Sequence, residues 1–168
     1  MQPWSGQAVN YYFLALLVLC TLYALWAGGG PERVGAATYA LSVAATHVIR
    51  AFNGQRWLDV QLGEFTVDVA TFVAFIFIAL RADRFWPLWV SALLGLGVLG
   101  HIARLAGPDI FWWAYAVSLT VWSYPIVLLF ALGTILHQRR LALHGADRSW
   151  VSSFGRSDRT PPAGPTVS

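Results

Sequence analysis

Apolar segments of bilayer-crossing length recur along most of this chain, and nothing else in it constrains the fold as strongly. Five can be read. They run from about Tyr11 to Trp26, Val34 to Phe52, Leu62 to Leu80, Phe85 to Leu105 and Ile110 to His137. A helix needs about 20 apolar residues to cross a hydrocarbon core roughly 30 Å thick. Only 11% of the residues are charged, against about a quarter in a typical soluble domain. The pattern predicts an all-α fold: an integral membrane bundle of about five transmembrane helices over residues 1–144. Gly, Pro, Ser, Arg and Asp dominate residues 145–168, which read as a disordered cytoplasmic tail.

The first segment lacks the basic n-region of a cleaved signal peptide, so it is expected to stay as a membrane helix. Orientation follows from arginine, because the chain has no Lys. With the N-terminus outside, Arg33, Arg81, Arg84 and the five tail arginines lie inside, and only Arg50, Arg56 and Arg104 lie outside. The positive-inside bias therefore favours N-outside, C-inside. Trp4, Tyr11, Trp57, Trp112 and Trp113 then fall at the outer interface, and Trp26, Trp86 and Trp89 at the inner one. Aromatic rings with a polar handle favour those depths.

Inside this apolar frame one phrase occurs twice. His47-Val48-Ile49-Arg50 and His101-Ile102-Ala103-Arg104 are both H-x-x-R, each near the end of an apolar segment. Glu64 and Asp68 lie between them, one helical turn apart. At 1.5 Å per residue, His47 lies about 21 Å above Arg33 and Asp68 about 20 Å above Arg81. Arg50, Glu64 and His101 come out near 25 Å, and Arg104 near 30 Å. Three segments thus bring ionisable groups to similar depth, and the second, third and fourth segments are expected to form the central bundle. An ionisable group inside a membrane helix is costly and calls for a partner.

His47, Arg50, Glu64, Asp68, His101 and Arg104 are therefore the candidate ligand-binding residues. One reading is a neutralised cluster that pins three helices. Another is a pocket for an anionic or zwitterionic ligand, gripped by arginine and served by His and Asp for proton exchange. A third uses His47 and His101 as ligands to haem b or, with Asp68 and Glu64, to a divalent metal in a membrane redox subunit. The two arginines oppose a divalent cation by charge, so no cofactor is assigned. No nucleophile motif or phosphate-binding loop points to a catalytic residue. Pro125 is expected to kink the fifth helix, and His137 and His144 to be solvated boundary residues. Cys20 is the single cysteine; it reads as a small packing residue and excludes an intrachain disulfide.

The stretch Ala79-Leu80-Arg81-Ala82-Asp83-Arg84-Phe85-Trp86-Pro87-Leu88-Trp89, followed by His101-x-x-Arg104, resembles small multi-pass membrane proteins of alphaproteobacteria. The resemblance covers about the middle third of the chain. It implies a bacterial inner-membrane location and brings no activity with it. The expected function is a non-enzymatic accessory, scaffold or small-ligand-binding or transport component. Its expected partners are the lipid bilayer and another membrane subunit or copy, and not nucleic acid.

Overall fold

In the computed structural model, residues 6–53, 62–106, 112–145, 147 and 150 are described. They form five helices: α1 (Gly6–Ala27), α2 (Gly30–Asn53), α3 (Leu62–Arg81), α4 (Trp86–Ala106) and α5 (Trp112–His144). Helix ends follow local chemistry. Between α1 and α2 stand only Gly28 and Gly29, and Pro31 and Glu32 occupy the first turn of α2. There a proline loses no hydrogen bond and an acid faces the positive end of the helix dipole. Pro87 plays the same part at the start of α4. At the other extreme α5 ends on Gly145, whose φ of 70° is the left-handed cap conformation that glycine adopts without strain.

The helices pack in chain order, each against its neighbours, and α5 closes back onto α1 while also touching α2. This corrects the expectation that α2, α3 and α4 form the centre. The aromatic core is built around Phe130 of α5. Tyr39, Phe75 and Trp86 contribute rings 5.5, 6.0 and 5.5 Å from it. Ala24 and Ala36 are fully buried, and Cys20 packs in the same core. α5 continues through Pro125 and runs 33 residues, about 50 Å. It passes well beyond His137, where the apolar segment was expected to stop, because Leu141, Ala142 and Leu143 are good helix formers even where hydrophobicity falls.

Three helical stretches, Leu62–Arg81, Trp86–Leu105 and Val121–His144, are long and apolar enough to cross a membrane. The apolar part of α1 found, Tyr11–Ala27, is shorter, and α2 carries Glu32, Arg33, His47 and Arg50. The outer faces expose large apolar side chains on every helix, among them Leu19, Leu41, Phe77, Leu99 and Leu128. Such continuous apolar exposure is rare on a protein surrounded by water.

Candidate functional site

The polar side chains gather at the two ends of the bundle. At the end holding His101, α3 supplies two acids one turn apart, and each takes a base from a different neighbouring helix. Arg50 of α2 grips Glu64 in a fork, with Nε 2.8 Å from Oε1 and Nη2 2.7 Å from Oε2. The His101 imidazole of α4 meets Asp68, Nε2 to Oδ2 at 2.9 Å, and its ring packs on Phe65. His101 is buried, whereas the Asp68 side chain is 36% exposed. The contact therefore holds a buried imidazole against a carboxylate that reaches the surface of the bundle.

Of the six residues singled out in the sequence, four are thus joined in two adjacent pairs along α3. His47 and Arg104 are half-buried. Among the described residues no three His, Cys, Asp or Glu side chains come together in a way that could hold a metal ion. Further along α2, the Tyr39 hydroxyl hydrogen-bonds Ser123 of α5, which gives the core a third polar contact between helices.

The opposite end holds a second cluster that the sequence reading did not assemble. Its centre is Glu32, with no exposed surface at all. Glu32 Oε1 accepts from the indole Nε1 of Trp86 at 3.0 Å and from Arg84 Nε at 3.3 Å. Arg84 is also buried, and its Nη2 lies 2.5 Å from Asp147 Oδ2. His137 Nδ1 meets the same oxygen at 2.6 Å, and Arg140 lies 3.8 Å from Oδ1. The other oxygen of Glu32, Oε2, is buried without a hydrogen-bond partner.

Two glycines make room for Trp86. A Cβ on Gly35 of α2 would stand 2.6 Å from the ring, and one on Gly133 of α5 2.9 Å from it. The indole therefore wedges between α2 and α5 while its N–H serves Glu32. Trp86 is buried at this end of the bundle, whereas Trp26 and Trp89 are exposed. His137 is likewise not a solvated boundary residue. It is buried, and held by an acid from the region that composition assigned to the tail.

No family model, curated protein or solved structure matches the chain.

Asp147 and Trp150 lie beyond the boundary drawn at residue 144, yet both pack on the bundle. Trp150 pairs with Ala82 in an isolated antiparallel bridge, and its indole covers Gly30, where a Cβ would fall 2.5 Å from Nε1. Residues 151–168 lie outside the described residues. Among the described residues, the Arg84 end is thus closed by a strap whose only charged anchor is Asp147.

Burial pushes the Asp147 carboxyl up, but the His137 hydrogen bond and the charges of Arg84 and Arg140 outweigh it and hold the group below its ordinary value. A carboxylate depressed in the folded state stabilises that state above its free pKa, near 3.9, and loses the effect as pH falls through the folded value. The Asp147 contribution to strap docking is thus expected to stay constant from neutral pH to about pH 5 and to disappear only below about pH 4. The difference in tryptophan fluorescence between wild type and Trp150→Phe reads the docked indole directly. A loss of that signal well above pH 5 would contradict the assignment.

Proposed function

We propose that this chain is a non-enzymatic, multi-pass component of a bacterial inner membrane, a scaffold or accessory subunit whose helices are held by polar pairs formed between them. The observation that carries this reading is the pairing along α3: Glu64 with Arg50, and Asp68 with His101. An acid in an apolar helix calls for a partner, and here each partner comes from a different helix, so the pairs lock α2, α3 and α4 in register.

The apolar outer faces and the three long apolar helices support the membrane setting. Arginine asymmetry supports an outside N-terminus and an inside C-terminus, which puts the Arg50/Glu64 and Asp68/His101 pairs near the periplasmic side. The resemblance to alphaproteobacterial inner-membrane proteins supports the location. The bilayer is the primary partner, with a second membrane subunit or a second copy beside it.

The competing reading makes His47 and His101 ligands in a haem or metal enzyme. Purified full-length protein separates the two. The scaffold reading predicts a colourless protein with no Soret band and well below one equivalent of any transition metal, and a His47→Ala, His101→Ala double variant that still inserts. A Soret band, or stoichiometric metal lost in the double variant, would overturn it.

A further inference from the structure

We propose that Arg84, His137 and Arg140 form a binding site for a phosphate group, which the chain's own Asp147 fills in this structure. The site is separate from the pairs along α3 and goes beyond the scaffold reading. Its first support is geometric. Asp147 is held through both carboxylate oxygens, Oδ2 by Arg84 and His137 and Oδ1 by Arg140. The Arg84 side chain is 2% exposed and the Asp147 side chain 6%. Donors converging on one anion from two elements, the 82–85 turn and α5, are how proteins grip oxyanions.

Charge gives the second support. Glu32 and Asp147 together neutralise Arg84 and Arg140. When the strap leaves, Glu32 alone faces two arginines, and the site carries a net positive charge in a buried setting. An incoming anion restores neutrality.

The unpartnered oxygen of Glu32 narrows the class of anion. A Cβ on Gly29 would lie 2.9 Å from Glu32 Oε2 and 3.2 Å from His137 Nδ1. The orphan acceptor and the imidazole that holds Asp147 therefore both lie beside Gly29, where a larger residue would not fit. A protonated phosphate offers acceptor oxygens for the arginines and a P–O–H donor for Glu32. Sulfate, which carries no proton at neutral pH, offers only the acceptors. Exposed Trp26, Phe85 and Trp89 flank this end, at the kind of surface where headgroups sit. The phosphate can come from a phosphomonoester lipid headgroup, as in phosphatidic acid, which keeps a P–O–H near neutral pH, or from free solution.

The strap is a tethered competitor, so removing its anchor raises apparent affinity by the inverse of the fraction of time the site is open. The test uses full-length wild type, Asp147→Asn, and Trp150→Ala, which releases the strap without touching the charges. In phosphate-free detergent, inorganic phosphate is titrated calorimetrically, with sulfate as the control. In nanodiscs, thermal stability is compared between phosphatidylcholine alone and phosphatidylcholine with phosphatidic acid. We expect at least one strap-release variant to bind phosphate about tenfold tighter than wild type and in preference to sulfate, or to gain more stability than wild type from phosphatidic acid. Adding Arg140→Gln should reverse that gain. The first result identifies a soluble ligand and the second a headgroup. If neither release variant differs from wild type in either arm, Asp147 makes only an internal salt bridge and the proposal falls.

Discussion

Replacing Arg84 with Leu is expected to cost about 3–5 kcal/mol of stability, the range for stranding one member of a buried ion pair. Glu32 would keep only the Trp86 N–H on Oε1, while its Oε2 already lacks a partner. The same substitution removes a donor from Asp147, so the strap should loosen in the same variant. Equilibrium unfolding of the full-length protein in mixed micelles reads the first effect, and the Trp150 fluorescence difference reads the second. Arg84→Lys should recover only part of the loss. An ammonium is a compact point charge and cannot present the planar fork that here reaches Glu32 and Asp147 at once.

Trp86→Ala is expected to cost a similar 3–5 kcal/mol, for a different reason. The indole fills the space that Gly35 and Gly133 leave between α2 and α5 and stacks edge-on against Phe130. Truncation opens a cavity at the junction of three helices and removes a hydrogen bond to a buried carboxylate. Trp86→Phe separates the two contributions. It keeps most of the ring and drops the N–H, so a loss of about 1–3 kcal/mol is expected, the cost of leaving a buried acceptor less satisfied. If Trp86→Phe is as damaging as Trp86→Ala, the hydrogen bond matters more than the wedge. If Trp86→Ala is neutral, the wedge described here does not hold the bundle.

The helices were legible in the sequence because their punctuation is chemical. Gly28-Gly29-Gly30-Pro31 and the polar Arg81-to-Arg84 turn interrupt apolar runs at bilayer-like intervals, and the observed ends fall within a few residues of those expected, except at the C-terminus of α5. The Glu64/Asp68 step was visible as an i,i+4 pair, and the structure completes it with Arg50 and His101. The arrangement at the other end was not visible. Glu32 meets Arg84 and Trp86 across 52 and 54 residues, and Arg84 meets Asp147 across 63. No periodicity links positions so far apart. Glu32 itself reads as an ordinary acid in a helix first turn, and Arg84 as an ordinary inside arginine. The signal available was Trp86 between a charged turn and Pro87, with Gly35 and Gly133 as unexplained small residues inside helices. Asp147 was hidden by its company, since Ser, Arg, Pro and Gly around it make the segment look uniformly unstructured.

The central claim is that charges paired across helix boundaries hold this bundle together. A double-mutant cycle on Glu32→Leu and Arg84→Leu tests it most directly, because it isolates the pair from the other contacts each residue makes. If the pair is the main tie, the double variant should be about 2–3 kcal/mol more stable than the sum of the single losses predicts. Losses that simply add would mean that Glu32 and Arg84 act separately, and would contradict the account.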